Sequence, residues 1–447
     1  MPRILPIPAI QYAQAVHPTG GQPTDLSALI APPYDVLDAR RKADLMALSP
    51  YNIVTLDLPH LPAKTVGTDE TYAWAGHLMR HWVQRGVLAR RPSPAMFVYR
   101  QSYTATVAGA TRSFQRRSLL CNLALREFGP ASDGTGGVFP HEQTFAGAKE
   151  DRLKLMRATQ AQLSPIFGLF SDPADAVGGV LQRVIDASPP ALSARTAEDG
   201  VLHEAWPVQE SAGLAALERA LGGKDVFIAD GHHRYNTALN YRRELEASGP
   251  LPASHPAHTC LFVLVALQDP GMIVLPTHRV LGGMPGFTWA AFEAAAKAHW
   301  RLSPFTGDLQ GLEAALPRAG RHAVGLTDGH HLAIAQPLRD DPLAATHPNQ
   351  SKAWRGLDVA IVQHLLVEAV CEGVLTPSGS KVAWKFPHTL QQLQVDVATP
   401  GYSLGVVLQP TPVESVRQVS EAGELMPQKS TFFYPKLATG LAINPLS

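Results

Sequence analysis

The stretch VFIADGHHRY, residues 226–235, decides how the middle of this chain folds. Residues 226–229 form a short apolar run, which is typical of a buried strand. The run leads directly into Asp230 and Gly231, and from Tyr235 onward apolar residues recur at helical spacing. The sequence therefore predicts a strand, a tight glycine turn and a helix, which is an arrangement common in α/β proteins that bind anions.

The predicted turn offers groups that suit a phosphate. Unpaired backbone N–H groups at a helix N-terminus attract negative charge, and Gly231 lets a phosphate approach the backbone. Arg234 offers a bidentate donor fork, while His232 and His233 offer donors whose charge can switch near neutral pH. Asp230 adds a carboxylate able to hold Mg²⁺ or to accept a proton from a hydroxyl. We therefore expect an anion site at this turn.

The letters DGHH occur a second time, at residues 328–331, in a different setting. Apolar residues alternate with other residues on both sides of this copy, so its Asp-Gly pair lies where a two-residue hairpin turn belongs. We expect the second copy to be a surface hairpin and the first to be functional. The structural alternative for the first copy is that Asp230 caps the helix, Gly231 makes the turn and the histidines are solvated or buried in a core.

Other segments can complete a site at the first copy. Glu142 in a loop could supply a carboxylate, and Lys149 and Arg152 in the following helix could contact phosphate, although an ordinary exposed helix with i,i+3 charges explains the same letters. Lys429 and Ser430 lack the glycines of a P-loop, and an aromatic-rich strand end is the alternative there. Because a phosphoryl site needs more positive charge than one arginine supplies, we predict that these segments converge on the turn.

The composition narrows the class of protein. The 447 residues contain 38 Lys plus Arg and 38 Asp plus Glu, so no net field favours DNA or an anionic membrane. The three cysteines are far apart and form no CxxC pair, which argues against a disulfide framework or a thiolate zinc site. The start of the chain lacks an apolar signal core, and the longest apolar run, 260–267, is too short to span a bilayer. We expect a cytoplasmic protein.

Alternating strand and helix patterns predict a mixed α/β fold. We place an N-terminal α/β region at residues 1–100, a core with the anion-binding turn at 101–290, and a C-terminal α/β region at 291–447. The run YNIVTLDL, residues 51–58, is rich in apolar and β-branched residues, which predicts a strand.

Nearly the whole chain resembles a family of uncharacterised conserved proteins, the domain-of-unknown-function family 1015. The resemblance rests on eight motifs: APPYDV (31–36), YNIV (51–54), PHEQT (140–144), DRL (151–153), LSPIF (163–167), ADGHHRY (229–235), LPTHR (275–279) and MPQKSTFFYPK (426–436).

A second, local resemblance concerns the turn. The letters GHHR at 231–234, followed by Ala238, resemble the Gly-x-x-Arg box of ParB and sulfiredoxin proteins, a fold that includes nucleotide-dependent free-serine kinases. The resemblance implies a ParB/sulfiredoxin-like core with large insertions, and a box that holds nucleotide phosphates beside a short helix.

These observations lead to one main hypothesis and two alternatives. The main hypothesis is a small-molecule phosphotransferase or phosphohydrolase, serine-kinase-like or acting on phosphoserine, with ATP or ADP and Mg²⁺. The alternatives are a nucleotide-binding switch without turnover, like a ParB module, and a metal-dependent hydrolase with zinc or manganese at His141, Glu142, Asp230 and His232. In the main hypothesis the catalytic residues are Asp230, His233 as proton carrier, and Glu142. Asp230 and Glu142 hold Mg²⁺, and the phosphate or nucleotide contacts are Gly231, His232, Arg234, Tyr235, Lys149, Arg152, Lys429 and Ser430.

Overall fold

The computed structural model describes residues 2–18, 22–107, 109–132 and 134–447. The chain divides into two compact units: the first comprises Met1–Thr104, Ser113–Met272 and Pro435–Ser447, and the second comprises Ala105–Arg112 and Ile273–Tyr434. The predicted mixed α/β class is confirmed. The units differ from the predicted boundaries near residues 100 and 290, because strands from the first hundred residues enter the same sheet as the middle of the chain.

A large mixed sheet forms the centre of the first unit. Its strands lie in the order Thr24–Asp25, Leu192–Arg195, Leu202–Val208, Met96–Val107, Ala110–Ala124, Thr259–Ala266, Ile166–Phe170, Val226–Asp230 and Val138–Phe139, and Ile4–Leu5 pairs with Ala110–Ala124. The Val226–Asp230 strand is antiparallel to Ile166–Phe170 and parallel to Val138–Phe139. The predicted strand before the glycine turn therefore lies inside the sheet, with a neighbour on each side.

The longer helices of this unit are Ala39–Leu48, Asp69–Gln84, Ala146–Thr159, Ala176–Ala187, Ser211–Leu221 and His232–Ser248. Shorter helical turns span Ala13–Val16, Tyr34–Val36, Val54–Asp57 and Pro256–His258, and two small strand pairs join Ile10–Tyr12 to Leu88–Arg90 and Ala161–Gln162 to Asn444–Pro445. Burial of apolar side chains explains the position of the turn. Val226 and Ile228 of the strand, and Tyr235, Ala238 and Leu239 of the helix, belong to one buried cluster. The apolar spacing seen in the sequence thus places both elements against the core.

The prediction of a strand at residues 51–58 is wrong, because Val54–Asp57 is a short, fully buried helix. Asn52 explains the difference. Its side-chain amide donates to the carbonyl groups of Ala28 and Ile30, each at 2.9 Å, and its side-chain oxygen accepts from the N–H of Val54 at 3.0 Å. These hydrogen bonds start a turn and override the β propensity of the letters that follow.

The second unit contains an antiparallel sheet and several helices. The strand order is Trp300–Pro304, Leu332–Pro337, Val324–Thr327, Tyr402–Val407, Arg279–Gly282 and Ala383–Lys385, and Ile273–Leu275 pairs separately with Phe432–Tyr434. The helices are Trp289–Ala296, Leu309–Ala319, Lys352–Arg355, Asp358–Ile361, Val362–Leu375, Leu390–Val397 and Val413–Glu421. Across the described parts of both units, no helix has the length and apolar character needed to cross a membrane.

The second DGHH copy is a hairpin, as predicted. Thr327 pairs with Leu332, so the connection is a four-residue loop and not the predicted two-residue turn. Asp328 Oδ1 accepts the N–H groups of His330 at 2.9 Å and His331 at 2.7 Å, which closes the loop. Both histidines are exposed.

We expect the double substitution of His330 and His331 by Ala to change the free energy of unfolding by no more than ~0.5 kcal/mol, the usual range for surface changes. The backbone N–H groups that bind Asp328 remain in this variant. Urea denaturation measures the effect. A much larger loss of stability would mean that the ring of His331, which stacks on Trp289 at 5.2 Å, contributes to the fold.

Candidate functional site

Gly231 joins the central strand to the helix that follows it. Its φ of 96° lies in the left-handed region, and the His232–Ser248 helix begins at the next residue. A β-carbon at this position would lie 3.1 Å from the guanidinium group of Arg234. The turn therefore requires glycine for its backbone conformation and for its space. In the described part of the chain, no side chain caps this helix N-terminus, so its first-turn amides remain suited to an anion.

Asp230 ends the strand and carries two cationic partners. Its Oδ2 lies 2.7 Å from Lys436 Nζ, and its Oδ1 lies 3.4 Å from Arg234 Nη2. Burial acts to raise the pKa of Asp230, but the charges of Lys436 and Arg234 outweigh burial and hold this pKa far below its usual range. The carboxylate is therefore a weak base. Asp230 here orients two cations, and its predicted catalytic and Mg²⁺-binding roles stay predictions.

His232 is buried and neutral. Its Nε2 accepts the backbone N–H of His141 at 3.1 Å, and the two imidazole rings meet edge to face with 4.6 Å between their centroids. Burial, reinforced by His141, lowers the pKa of His232 well below its usual value. The prediction that its charge switches near neutral pH is therefore wrong, because a proton would have to enter a buried site whose acceptor nitrogen is already bonded.

His233 is also held as the neutral imidazole. Its Nε2 accepts the N–H of Phe145 at 3.0 Å, and the two rings stack at 6.0 Å. Burial and, to a smaller extent, the charge of Lys64 lower the pKa of His233 to about 4. The predicted role as proton carrier conflicts with this geometry, because Nε2, the unprotonated nitrogen, already accepts a hydrogen bond from the backbone N–H of Phe145. His233 instead ties the 140–145 loop to the turn.

Tyr235 was predicted to contact phosphate, but it belongs to the core. Its hydroxyl donates to the carbonyl of Arg126 at 2.7 Å and accepts the N–H of the same residue at 3.2 Å. Its ring lies 5.1 Å from Phe128 and 5.9 Å from Phe262, and the side chain is fully buried. The apolar face of the helix requires a large side chain here, and this requirement accounts for Tyr235.

Arg152 was also predicted to contact phosphate, and its charge is already compensated. The guanidinium group donates to Asp151 Oδ2 at 2.8 Å and to the carbonyl of Asp57 at 2.6 Å, and it lies 3.8 Å from the ring of Tyr34. Only 6% of the residue is exposed. A buried arginine paired in this way holds chain segments together, and a phosphate contact by Arg152 stays a prediction.

Lys149 lies in the Ala146–Thr159 helix and is partly exposed. Its carbonyl accepts the hydroxyl of Thr237 at 3.3 Å, which connects this helix to the one that follows the turn. A phosphate contact by the Lys149 ammonium group stays a prediction.

The 140–145 loop meets the turn as predicted, through the His141–His232 and Phe145–His233 hydrogen bonds. Glu142 in this loop is partly buried, and its charge acts on the adjacent His141. The structure thus brings the loop to the turn, whereas a catalytic role for Glu142 stays a prediction.

Lys429 and Ser430 belong to the second unit. Lys429 is exposed, with a left-handed φ of 58°, and its carbonyl accepts from Arg279 at 3.0 Å. Ser430 is buried, and its carbonyl accepts the hydroxyl of Thr411 at 2.7 Å. Their participation in a site at Asp230 stays a prediction.

Three charged residues were missed as site candidates. Lys436 binds Asp230, and Asp35 Oδ2 lies 3.1 Å from Lys64 Nζ. The charges of Asp230, Arg234 and Lys436 all act on Asp35, which places both carboxylates in one electrostatic cluster. The APPYDV and MPQKSTFFYPK motifs contain Asp35 and Lys436 and were available as a signal. Lys64 lies in no such motif.

The four residues proposed as metal ligands in the hydrolase alternative, His141, Glu142, Asp230 and His232, do not form a metal site in the described structure. Among residues 2–18, 22–107, 109–132 and 134–447, no group of three or more His, Cys, Asp and Glu side chains is arranged to hold a metal ion. The donors are engaged elsewhere: His141 Nδ1 bonds to the carbonyl of Ile228 at 2.7 Å, His232 Nε2 accepts from His141, and Asp230 binds Lys436.

We expect Gly231→Ala to destabilise the protein by ~1–2 kcal/mol, because an L residue pays this cost in the left-handed region and the new methyl group crowds Arg234. Thermal unfolding measures the change. The matched control is Gly179→Ala in the Ala176–Ala187 helix, where the added β-carbon has its nearest neighbour at 3.9 Å. That variant should gain up to ~1 kcal/mol from helix propensity. Equal effects at the two glycines would contradict a special role for the turn.

The lowered pKa of His233 predicts part of the acid sensitivity of the protein. The ordinary histidine pKa is 6.5, and in the folded chain that of His233 is about 4. Between these values the unfolded state binds the extra proton, so the free energy of unfolding falls as the pH drops from 6.5 towards 4. We expect His233→Gln to make this fall shallower in urea titrations across that range. The exposed His330→Gln serves as control, and an unchanged slope in both variants would refute the buried neutral state of His233.

Comparisons with known proteins give one family and several distant structures. A comparison with curated proteins gave no match. A free serine kinase variant in complex with ADP aligns with a TM-score of 0.33 and 14% identity over 68% of this chain and 89% of its own. A conserved hypothetical protein from Pyrococcus furiosus aligns with a TM-score of 0.31 and 14% identity over 68% and 90% of the two chains. C-terminally truncated SbnI from Staphylococcus aureus aligns with a TM-score of 0.32 and 11% identity over 69% and 84%. The model of the family described as "Protein of unknown function (DUF1015)" matches residues 4–360, and the chain belongs to that family.

Proposed function

We propose that the first unit binds a phosphorylated small molecule or nucleotide at the Gly231 turn and transfers or hydrolyses its phosphoryl group. The observation that carries this proposal is the charge of the cluster. Three cations, Lys64, Arg234 and Lys436, accompany two carboxylates, Asp35 and Asp230, beside an uncapped helix N-terminus in the described chain. These five side chains carry one more positive than negative charge, and the helix adds its own partial positive charge.

Binding would use the backbone and Arg234 together. The first-turn amides after Gly231 offer donors to phosphoryl oxygens. Arg234 is held at Nη2 by Asp230 and also donates to the carbonyl of Pro165, so its guanidinium is oriented before a ligand arrives. A donor fork that is already ordered loses little entropy on binding.

Glu142 is the best candidate for the base. Asp230 is paired with two cations, and His233 Nε2 accepts a backbone N–H, so neither is suited to accept a proton. Glu142 lies in the loop that meets the turn, and no ion pair of Glu142 is found among the described residues. It would accept the proton of an attacking hydroxyl, either of a serine-type acceptor or of water.

ATP or ADP is the proposed phosphoryl donor or product, with Mg²⁺ bound to its phosphates. Mg²⁺ is commonly held by one or two carboxylates together with substrate phosphates, which fits a site where Glu142 offers the carboxylate. When bound, Mg²⁺ would neutralise charge that develops on the phosphoryl oxygens.

The roles of Arg234 and Glu142 can be separated. We expect Arg234→Ala to weaken binding of ADP or pyrophosphate by about 1.5–3 kcal/mol, the range for hydrogen bonds to charged groups. We expect Glu142→Gln to keep this affinity when binding is measured without Mg²⁺, and to lose most phosphoryl turnover, because it keeps the shape and removes the base. Isothermal titration and a phosphate-release or transfer assay measure the two effects.

Arg243→Ala is the matched control. Arg243 lies on the same helix, but it is exposed and pairs with Glu127 at 2.6 Å. Its loss should leave both affinity and turnover unchanged. If neither ADP, ATP nor pyrophosphate stabilises the wild-type protein, the proposal fails. Binding without any turnover would instead support a nucleotide-binding switch.

A further inference from the structure

The APPYDV motif places a carboxylate, Asp35, in the charge cluster, and the proposed function gives this carboxylate no contact with a ligand. Tyr34–Val36 form one turn of 3-10 helix, and Asp35 lies within it. One carboxylate oxygen, Oδ2, binds Lys64 at 3.1 Å. The other, Oδ1, is buried and has no hydrogen-bond partner among the residues that the structure describes.

A buried carboxylate oxygen without a partner is costly. Such an atom loses its hydration and gains no protein hydrogen bond, and native structures contain few of them. Burial and the charge of Asp230 act to raise the pKa of Asp35, but Lys64, Arg234 and Lys436 hold it below its usual value. Asp35 is therefore ionised and can only accept hydrogen bonds. The missing partner must be a donor.

The surrounding chain holds Asp35 at the site. Ala31 and Thr439 exchange backbone hydrogen bonds of 3.2 and 2.8 Å, which joins the segment before Asp35 to the segment that carries Lys436. Lys64 has a left-handed φ of 68°, an unusual conformation for a lysine. Strain of this kind persists where the surroundings impose it, and it concentrates at functional positions.

We propose that Asp35 Oδ1 receives an O–H or N–H donor of the phosphoryl acceptor other than the attacking hydroxyl, so that the acceptor is a small diol or amino alcohol. The inference rests on the proposed function of the Gly231 turn. Asp35 accepts a hydrogen bond from the molecule that receives the phosphoryl group. Glu142 removes the proton from the attacking hydroxyl of that molecule.

The charge balance permits such an acceptor. The five side chains of the cluster carry one excess positive charge and Glu142 carries one negative charge, so together they are neutral, whereas ATP with one Mg²⁺ brings a net charge of about −2. The loaded site is then negative, and it favours a neutral or cationic acceptor over an anionic one. In the transfer, the acceptor hydroxyl oxygen forms a bond to the γ-phosphorus of ATP, and its proton passes to Glu142. The bond from that phosphorus to the bridging oxygen breaks, and ADP leaves with the electron pair.

Two pairs of probes test the inference, each differing in one donor. L-serine is compared with 3-hydroxypropionate, which lacks the amine, and ethylene glycol with 2-methoxyethanol, which keeps one hydroxyl and lacks the second hydroxyl proton. Isothermal titration is run on the 447-residue chain with and without ADP. We expect the donor-bearing member of at least one pair to bind about tenfold tighter, the effect of a hydrogen bond to a charged group. The pair that responds shows whether the donor is an ammonium or a hydroxyl group.

Asp35→Asn should abolish this preference and leave the affinity for ADP unchanged or increased, because a negative charge is removed beside an anion site. Asp35→Ser serves as a second variant should the amide disturb folding. Asp44→Asn, on the exposed side of the Ala39–Leu48 helix, is the control and should change neither affinity. The inference is overturned if the wild-type protein shows no preference in either pair, or if both Asp35 variants retain it. Failure of the proposed function would appear separately, as absence of ADP binding in the wild-type protein.

Discussion

The ion pair between Asp230 and Lys436 is the interaction on which the site depends. It joins the end of a central strand to the last segment of the first unit, across 206 positions of sequence, at 2.7 Å. The side chains are 19% and 20% exposed, so the pair is neither fully buried nor freely solvated. Asp230 also binds Arg234. One carboxylate therefore orders two cations at a helix N-terminus, and losing it would leave both without their main counter-charge.

The segment that carries Lys436 is held by more than this ion pair. The carbonyl of Lys436 accepts from Gln101 at 2.9 Å, and the carbonyl of Pro435 accepts from Arg116 at 2.7 Å. Arg116 is fully buried. Gln101 lies in the strand Met96–Val107, and Arg116 lies in the neighbouring strand Ala110–Ala124. The position of Lys436 therefore follows from the packing of the sheet. The cation is thus placed by the core and not by a mobile surface loop.

Burial also sets the charge state of the site. His232 and His233 both have lowered pKa values, and each accepts a backbone N–H from the 140–145 loop. Neutral imidazoles act here as hydrogen-bond acceptors that fasten the loop to the turn. The positive charge of the site therefore comes from its lysine and arginine side chains and not from its histidines.

The sequence by itself determined the α/β class, the strand–glycine–helix unit and the difference between the two DGHH copies. Each follows from local patterns, such as apolar periodicity and a glycine at the turn, where Gly231 has a φ of 96°.

The roles of individual side chains were decided by tertiary structure. In the sequence, Tyr235 and Arg152 both fit a phosphate site. In the fold, the hydroxyl of Tyr235 donates to the carbonyl of Arg126, and Arg152 forms ion pairs with two buried carboxylates. The strand predicted at 51–58 became a helix because Asn52 bonds to Ala28 and Ile30. Lys436 and Lys64 lie in the cluster because segments that are far apart in the sequence pack together. Sequence patterns report which residues face the core, whereas charge pairing depends on which segments meet, and only the folded chain decides that.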